Sequence, residues 1–539
     1  MKNQAVQQHG QFASTSFSSQ NKRLSQDDVI RRLFLPASNL PESRNGSAIV
    51  LVSNGTERSV THRQIENLLA HGIENLKERG IKKGDKVVFY CDNSPEFSTT
   101  ILACWALNAM VALIDYRAER AGVLEISKKL GAKLLVTSKT MYTDNTSETK
   151  FFTESGLTVL DVSHFADFKD ATKRAPFDVK SLDLDYPALA LLTSGTTGTP
   201  KTSVHTLRSL LQNIIDLAES TDLQPNMTAL TPLPISHVFG LSVFLVTQIL
   251  GMKTVLTKLS PVAFVKAVYR HKPELIAALP QFYGALLVAP PGLIDLSNSR
   301  LLLCGGSPLT VSLSEKFEKT FGKRLNNGYG STECKIVAYN TNGAVLSVGK
   351  PVGAVKIDIV NEQDEVLAEG KNGEVRITSS TLMEGYLNND AETKKVLRNG
   401  RYYTGDIGRF VDGNLFISGR KGDVVIVGGV VVLAGEVEEA LRNNPEVKDV
   451  AVTALPNKRL GQIIKASVVV MDDRIGDKLK SRDPNEVLEA QRQLQHQFKA
   501  FCKENLSRYK RPMKWEFLGP HDNLPKTLAG KTDKKNMSG

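Results

Sequence analysis

The stretch LLTSGTTGTPKTSVHT, Leu191 to Thr206, joins a strand-like apolar run to a loop of glycine, serine and threonine that ends at Lys201. Glycines let the backbone approach an anion closely, and hydroxyls and amides donate hydrogen bonds to it. A lysine at the end of such a loop adds a point charge for phosphate. A surface turn can have the same composition, so other segments must decide whether this loop binds phosphate.

The loop departs from the Walker pattern GxxxxGK[ST] of ordinary kinases and NTPases. From Gly195 to Lys201 it runs G-x-x-G-x-x-K, with Pro200 directly before the lysine. A P-loop phosphotransferase is therefore the second hypothesis rather than the first.

Composition bounds the class of protein. The chain has 539 residues, of which 41% are hydrophobic and 23% charged, enough for several packed domains. The net charge of +11 would suit nucleic acid, but basic stripes interleaved with aromatic residues are missing, so we expect no nucleic-acid partner. The five cysteines are scattered without a CxxC pair, which favours a reduced protein over a disulfide framework or zinc site.

The chain ends and apolar runs indicate location. Residues 1–25 are rich in glutamine and serine, lack the apolar segment of a secretory signal, and are predicted to form a disordered arm. The best apolar run, Gly240 to Gly251, is shorter than the ~20 residues that span a bilayer. We therefore expect a soluble cytoplasmic protein, monomeric or homodimeric, without a membrane span.

Periodicity predicts an α/β fold. Helical spacing of apolar residues runs from Thr61 to Gly80, with Thr61 and Gln64 as a capping box, and a second helix is expected from Pro95 to Asn108. Buried strands alternate with these helices, which indicates a mainly parallel sheet. From Gly349 onward the strands are short, with Asn372-Gly373 and Asp412-Gly413 as expected hairpin turns, so a small β-rich subdomain should follow. An α+β region completes the chain.

Six further motifs occur in a fixed order along the sequence. They are PLPISHVFG (Pro232–Gly240), LLLCGGSPL (Leu301–Leu309), NGYGSTE (Asn327–Glu333), YYTGDIG (Tyr402–Gly408), SGRKGDVVIVGG (Ser418–Gly429) and LPKTLAGKTDKK (Leu524–Lys535). With these motifs the chain resembles the adenylate-forming superfamily of acyl- and aryl-CoA synthetases, peptide-synthetase adenylation domains and firefly luciferase. The likeness spans roughly residues 47–535, nearly the whole chain.

The resemblance implies a reaction in two halves. A carboxylate attacks the α-phosphorus of ATP to give an acyl adenylate and pyrophosphate, and a nucleophile then takes the acyl group and releases AMP. ATP and Mg²⁺ are the implied cofactors, with CoA as a candidate co-substrate. The implied domains are an adenylate-forming domain over residues 26–420 and a mobile C-terminal domain over residues 421–539, with the hinge near Lys421-Gly422.

The resemblance also implies roles for individual residues. The expected catalytic residues are Lys531, His237, Thr332 and Glu333. The expected magnesium ligands are Glu333 and Thr197. The expected nucleotide-binding residues are Thr193, Ser194, Gly195, Thr196, Thr197, Gly198, Lys201, Gly305, Gly306, Ser307, Asn327, Gly328, Tyr329, Gly330, Asp406 and Arg420.

Within that set, Tyr329 should stack on adenine, Asp406 should accept hydrogen bonds from the ribose hydroxyls, and Arg420 should contact the ribose or phosphate. His237 should line the acid pocket. Lys531 should stabilise the charge that develops at the α-phosphate during adenylation.

The second half-reaction is less determined by the sequence. Ile426 stands where many members of the superfamily have lysine, Ala434 where they have proline, and Gly422 where they have a charged hinge residue. Three acceptors are open: the thiol of CoA, which we favour, an amine, or the arm of a carrier protein. A non-catalytic AMP-sensing module is the alternative of another class, but it should have lost Glu333 and Lys531.

The acid pocket should be formed by residues 236–241, 281–284, 304–307 and 334–337. These segments contain no Asp or Glu that could bind a substrate amino group. An apolar carboxylic acid is therefore expected rather than an α-amino acid.

Overall fold

A computed structural model describes residues 24–40, 46–53, 56–138, 145–162, 178–193, 201–341, 344–525 and 532–537. Over these residues the chain forms fifteen α-helices and twenty-six β-strands. The helices are α1 (Gln26–Phe34), α2 (Pro36–Asn39), α3 (His62–Glu78), α4 (Pro95–Ala106), α5 (Arg120–Leu130), α6 (Asn145–Glu154), α7 (Leu207–Glu219), α8 (Val238–Ile249), α9 (Pro261–His271), α10 (Pro280–Leu287), α11 (Val311–Phe321), α12 (Asp390–Val396), α13 (Ala434–Arg442), α14 (Asp473–Leu479) and α15 (Pro484–Asn505).

The strands alternate with helices in the first three hundred residues and then follow one another closely. They are β1 (Ser47–Ser53), β2 (Thr56–Thr61), β3 (Lys86–Tyr90), β4 (Met110–Ile114), β5 (Leu134–Thr137), β6 (Val159–Asp161), β7 (Pro187–Leu192), β8 (Thr202–Thr206), β9 (Thr228–Thr231), β10 (Lys253–Thr257), β11 (Leu275–Ala278), β12 (Leu301–Cys304), β13 (Asn326–Ser331), β14 (Lys335–Tyr339), β15 (Lys350–Pro351), β16 (Lys356–Val360), β17 (Gly373–Thr378), β18 (Gly385–Tyr386), β19 (Leu397–Arg398), β20 (Arg401–Val411), β21 (Asn414–Arg420), β22 (Val424–Val427), β23 (Val430–Leu433), β24 (Val447–Asn457), β25 (Gly461–Val470) and β26 (Lys514–Leu518).

Two large sheets dominate the N-terminal part of the described chain. One has the strand order β15-β14-β13-β12-β11-β9-β10-β1-β2, and the other β18-β8-β7-β4-β3-β5-β6. Their central neighbours pair in parallel, for example β3 with β4 and β5, and β9 with β10 and β11. The predicted α/β class with mainly parallel sheets is confirmed. In such sheets the loops at the carboxyl ends of the strands form the usual binding crevice.

The predicted first helix is confirmed almost to the residue. Thr61 caps α3 by accepting a hydrogen bond from the amide of Gln64, whose side chain in turn accepts from the Thr61 amide. This reciprocal cap satisfies two backbone donors that a helix start would otherwise leave unpaired. The predicted second helix corresponds to α4.

One hydrophobic core extends over both large sheets, and all five cysteines are buried and unpaired. Burial raises the pKa of Cys334 to about 12 and that of Cys502 to about 11, so these thiols stay protonated at neutral pH. No helix among the described residues is long and apolar enough to cross a membrane.

A smaller antiparallel sheet follows, with the order β16-β17-β20-β19 and β21 paired to β20. The expected turn at Asp412-Gly413 joins β20 to β21, and both residues have positive φ, of 50° and 69°. The hairpin turn expected at Asn372-Gly373 is wrong. Gly373 is the first residue of β17, and the chain turns earlier, where the Asn361 carboxamide oxygen accepts hydrogen bonds from the amides of Gln363 and Glu365.

The C-terminal region has its own sheet and its own core. Its sheet has the order β23-β22-β25-β24, with β26 paired to β25, and its main core cluster runs from Val425 to Phe517. The hairpin of β22 and β23 turns at Gly428-Gly429 and exposes the side chains of Ile426 and Val430 by 48% and 42%. The domain boundary after residue 420 stays a prediction, to which the separate cores give support.

Candidate active site

The phosphate-loop segment begins and ends on two paired strands. Thr193 follows β7, Lys201 precedes β8, and the amide of Thr193 donates a 2.8 Å hydrogen bond to the carbonyl of Lys201. This bond closes the base of the loop. Ser194, Gly195, Thr196, Thr197 and Gly198 lie outside the described residues.

Lys201 has two partners from a later segment of the chain. Its ammonium forms an ion pair with Glu392 on α12 and lies 5.0 Å from the centre of the Tyr386 ring. The Lys201 side chain is only 15% exposed. The hydrogen bond from Lys201, followed by that from Lys395, lowers the pKa of Glu392 to about 2. A carboxylate and an aromatic ring thus hold the lysine directly before β8.

Glu333 lies in the tight connection between β13 and β14. The hydroxyl of Tyr386 donates a 2.8 Å hydrogen bond to Oε1 of Glu333, and the amide of Met383 donates one of 2.8 Å to its carbonyl. Burial and the carboxylate of Glu333 raise the pKa of Tyr386, so its hydroxyl keeps its proton and remains a donor. Tyr386 therefore connects Lys201 to Glu333.

A magnesium ion fits this arrangement chemically. Glu333 offers hard oxygen ligands, and its hydrogen bond from Tyr386 occupies one oxygen of a carboxylate that has two. Within the described ranges, no group of three or more His, Cys, Asp or Glu side chains could hold a metal ion. Magnesium commonly uses one or two carboxylates together with substrate phosphates and water, so one glutamate suffices.

The residues expected to bind the base and the ribose lie together in a second group of contacts. The hydroxyl of Tyr329 donates a 2.7 Å hydrogen bond to Oδ2 of Asp406, and Nε of Arg420 lies 3.2 Å from Oδ1. Asp406 and Arg420 face each other because they are paired residues of β20 and β21. Burial raises the pKa of Tyr329 well above its usual value, and the charge of Asp406 adds to this. These three residues form one hydrogen-bonded and charged group.

Glycines shape the space beside that group. A Cβ on Gly305 would lie 3.3 Å from the ring of Phe239, and one on Gly306, whose φ is +79°, would lie 2.7 Å from Leu279. The phenyl ring therefore packs on a flat glycine surface that directly follows β12. Ser307 comes next on this loop and is half-buried.

The NGYG motif has structural reasons for its small residues. Asn327 is buried, and its Nδ2 lies 3.3 Å from the carbonyl of Leu346. A Cβ on Gly328 would lie 3.3 Å from Leu303, and one on Gly330 would lie 2.0 Å from the carbonyl oxygen of Lys335. Gly330 thus permits the close hairpin that carries Thr332 and Glu333.

His237 precedes α8 and is connected to a buried carboxylate on the other large sheet. Its Nε2 lies 2.6 Å from Oδ2 of Asp115, which directly follows β4. Nε and Nη2 of Arg117 donate to both oxygens of that carboxylate, at 2.8 and 2.5 Å. Burial alone would raise the pKa of Asp115, but the hydrogen bonds from Arg117 and His237 outweigh it and hold the pKa well below its usual range.

A buried polar layer lies under Thr332 and Glu333. Lys335 is fully buried, and its ammonium donates to the carbonyl of Thr381 and to Oγ of Ser209. Burial lowers the pKa of Lys335 to about 7. Burial and the charge of Lys335 lower the pKa of His205 well below its usual value, so this imidazole is neutral.

Lys531 lies outside the described residues, but both sides of its segment are anchored. The amide of Asp533 donates a 2.7 Å hydrogen bond to the carbonyl of Pro525. Nζ of Lys534 lies 2.7 Å from Oε1 of Glu438 and 3.4 Å from Oδ2 of Asp423, near the expected hinge.

Sequence reasoning missed four residues of this site, namely Asp115, Arg117, Tyr386 and Glu392. Each belongs to a segment without a glycine-rich or otherwise distinctive motif of its own. The sequence did contain a signal for Asp115, because this residue directly follows a fully apolar strand. That is the position where parallel sheets present binding residues. The segments expected to form the acid pocket lack an acidic residue, yet this one reaches His237 from another sheet.

Comparison with known families accounts for most of the chain. Residues 41–387 match the family model of the AMP-binding enzymes, and residues 436–531 match that of the AMP-binding enzyme C-terminal domain. A feruloyl-CoA synthase from Amycolatopsis sp is 29% identical over 485 residues, which are 88% of this chain and 92% of that protein. A 2-succinylbenzoate–CoA ligase from Bacillus licheniformis is 30% identical over 472 residues, which are 85% of this chain and 90% of the ligase.

Solved structures share the fold over nearly the full length. An o-succinylbenzoate CoA synthetase from Bacillus subtilis, in complex with its acyl-adenylate intermediate, has a TM-score of 0.79 at 23% identity and covers 94% of this chain and 98% of its own. An amide bond synthetase, McbA from Marinactinospora thermotolerans, has a TM-score of 0.76 at 23% identity and covers 95% and 99%. At these identities the likeness shows a common fold.

Proposed function

Because this chain belongs to the AMP-binding enzyme family and is an AMP-forming ligase, we propose that it activates an apolar carboxylic acid as the acyl adenylate and passes the acyl group to the thiol of CoA. Its relatives named for feruloyl-CoA and 2-succinylbenzoate–CoA support the thioester product. The reduced, buried cysteines suit a cytoplasmic enzyme.

One observation carries the assignment of the nucleotide site. Tyr329 on β13 donates to Asp406, and β13 leads directly into the turn that carries Glu333, so the residues proposed for the ribose and those proposed for the phosphates adjoin along one strand. A nucleotide that lies along this line would place its sugar near Asp406, its α-phosphate near Thr332 and its outer phosphates near Lys201. Tyr329 would bind the base beside the surface of Gly305.

In the first half-reaction, a carboxylate oxygen of the acid bonds to the α-phosphorus while the bond to the bridging oxygen of the β-phosphate breaks, and pyrophosphate leaves. Both reactants are anions, so the protein must neutralise charge and align the atoms. Lys201 would bind the leaving phosphates, and Lys531 would stabilise the charge at the α-phosphate. Mg²⁺ held by Glu333 would supply further charge neutralisation at the phosphates.

In the second half-reaction, the sulfur of CoA bonds to the acyl carbon, the carbon–oxygen bond to AMP breaks, and the thiol proton is lost to solvent. We propose that the C-terminal domain turns about Lys421-Gly422 between the two halves. Lys421 forms an ion pair of 3.2 Å with Glu374 on β17, and the nearby Asp423 faces Lys534. These pairs lie where such a rotation would break and remake contacts.

A second acceptor has a specific observation in its favour. The β22-β23 hairpin exposes Ile426, at a position where many members of the superfamily have lysine, and McbA, a neighbour in fold, is an amide bond synthetase. An amine acceptor would therefore make this chain an amide ligase. A carrier-protein arm is a third acceptor, with less support.

Product analysis by mass spectrometry tests these assignments. The purified chain is incubated with ATP, Mg²⁺ and a panel of apolar aliphatic and aromatic acids, with CoA, with amino acids, or with neither. AMP and pyrophosphate together with an acyl-CoA support the proposal, and an acyl-amide formed without CoA supports the amide ligase. ADP as the nucleotide product, or no acid-dependent AMP, would contradict adenylation itself.

A further inference from the structure

The turn that carries Thr332 and Glu333 is fastened by a lysine beneath it. Ser331 and Lys335 are paired residues of β13 and β14, so the connection between them is only three residues long. Lys335 has a φ of +61°, a left-handed conformation that few residues other than glycine adopt. A lysine whose side chain is fully buried and whose backbone adopts this costly conformation needs a physical reason.

The lysine is held by groups that do not cancel its charge. Its ammonium donates to the Thr381 carbonyl and to Oγ of Ser209, 3.2 Å away, at the start of α7. Within the described part of the chain it forms no ion pair, and Glu384 acts on it only at a distance. The first turn of a helix repels cations, so α7 disfavours the charge further. A buried ammonium in this position does not stabilise the fold as a methionine would.

Its contacts nevertheless join the Glu333 turn to one segment. Thr381 accepts the hydrogen bond from Lys335, the amide of Met383 donates to the Glu333 carbonyl, and the hydroxyl of Tyr386 donates to the Glu333 carboxylate. The segment Thr381–Tyr386 thus contacts the turn at three places: the ammonium of Lys335, the backbone carbonyl of Glu333 and the carboxylate of Glu333.

We propose that Lys335 is a positioning residue that fixes the turn Ser331–Lys335, so that the Glu333 carboxylate is held ready for a magnesium–nucleotide complex. The inference rests on the proposed function, because it gives Glu333 the role of magnesium ligand. It assigns to Lys335 a role that its burial and chemistry would not otherwise explain.

Lys335→Met tests this, because methionine fills a similar volume without the ammonium. If the lysine serves only the fold, the variant should be equally or more stable and should bind Mg²⁺ as the wild type does. Under the proposal the thermal midpoint is preserved, while the Mg²⁺ concentration for half-maximal ATP binding rises about tenfold or more, as for other residues that orient metal ligands. ATP affinity without Mg²⁺ should change little.

Two further variants make the result decisive. Ser209→Ala removes one partner of Lys335 and should shift the Mg²⁺ dependence in the same direction but less, and it carries the test if Lys335→Met does not fold. Lys323→Met is the control, because the ammonium of Lys323 likewise donates to two uncharged oxygen atoms, the carbonyls of Ser297 and Ser299 at 3.1 and 3.0 Å. It should leave the Mg²⁺ dependence unchanged.

Calorimetric titration of ATP with and without Mg²⁺ separates the possible failures. A wild-type chain that binds no Mg·ATP overturns the proposed function and, with it, this inference. A wild type that binds Mg·ATP, with the same Mg²⁺ dependence in Lys335→Met and Ser209→Ala, overturns the positioning role alone.

Discussion

The hydroxyl of Tyr386 lies 2.8 Å from Oε1 of Glu333, and the face of the same ring lies 5.0 Å from the ammonium of Lys201. One side chain therefore contacts both the carboxylate expected to ligate magnesium and the lysine expected to bind phosphate. Tyr386 comes from β18, which is paired to β8 and so reaches the phosphate-loop segment directly.

Tyr386→Phe keeps the ring over Lys201 and removes the hydrogen bond to Glu333. We expect the Mg²⁺ concentration for half-maximal AMP formation to rise about tenfold, because the carboxylate loses the group that orients it. Steady-state kinetics over a Mg²⁺ series measures this. Tyr403→Phe is the control, since Tyr403 donates to Asp364 at 2.8 Å in the smaller sheet, and its loss should leave the Mg²⁺ dependence unchanged.

Lys201→Met should raise the KM for ATP by roughly tenfold to a hundredfold, because a charge-assisted hydrogen bond to phosphate is lost. Lys83→Met makes an equivalent change elsewhere, because Lys83 also pairs with a carboxylate, Asp183, and lies 5.5 Å from the Tyr186 ring. An unchanged KM in Lys201→Met, or an equal rise in Lys83→Met, would contradict phosphate binding by Lys201.

Lys531→Ala should reduce adenylation by about a hundredfold to a thousandfold, because a preorganised charge is lost from the transition state. Acid-dependent exchange of pyrophosphate into ATP measures this half-reaction alone. Lys514→Ala, at an exposed position of β26, is the control for the loss of a lysine from the same region. Near-normal exchange in Lys531→Ala would remove Lys531 from the chemistry.

Asp115 should make stability depend on pH at the acid end. Its pKa is below the usual value of ~3.9 in the folded chain, so the unfolded chain binds the proton first as the pH falls. The stabilisation is complete above about pH 5 and is lost as the pH falls through the folded pKa. Urea unfolding measured from pH 7 to pH 3 should therefore show that the free energy of unfolding falls less for Asp115→Asn than for the wild type.

The matched comparison for that experiment is Asp183→Asn, which removes an exposed carboxylate paired with Lys83. Solvent screens this pair, so the free energy of unfolding of Asp183→Asn should fall with pH about as much as that of the wild type. Parallel curves for Asp115→Asn and the wild type would show that the contacts of the Asp115 carboxylate with Arg117 and His237 carry no pH-dependent stability.

Gly330→Ala should disrupt the Glu333 turn, because the added Cβ would lie 2.0 Å from the Lys335 carbonyl oxygen. We expect a lower thermal midpoint and loss of AMP formation together. Gly122→Ala, in α5 with nothing within 4 Å of the new Cβ, should instead be neutral or stabilising by about 0.5–1 kcal/mol. Wild-type behaviour of Gly330→Ala would show that the turn relaxes easily.

The sequence predicted those parts of the molecule that local patterns determine. Helix α3 follows from apolar spacing and a capping box, and the turn at Asp412-Gly413 from two residues that tolerate positive φ. Tyr329, Asp406 and Arg420 were named through the resemblance, and they lie within β13, within β20 and at the end of β21. The structure brings these three residues into contact, and their roles in nucleotide binding stay predictions.

Other contacts depend on pairings between distant segments, which one sequence does not reveal. Asp115 contacts His237 only because the carboxyl end of β4, in one large sheet, lies beside the start of α8, which packs with the other sheet. Glu392 meets Lys201 only because β18 pairs with β8. The Asn372-Gly373 turn was wrong for a similar reason, since β17 pairs with β16 and β20 and begins at Gly373 itself.

The burial of all five cysteines makes the chain suitable for site-directed labelling. A thiol that is inaccessible and protonated reacts slowly with maleimides, so the native cysteines can stay in place. A cysteine introduced at an exposed site before Lys421 and another beyond it would then be the only fast-reacting thiols. Fluorophores at these two positions would report the separation of the two domains during single turnovers.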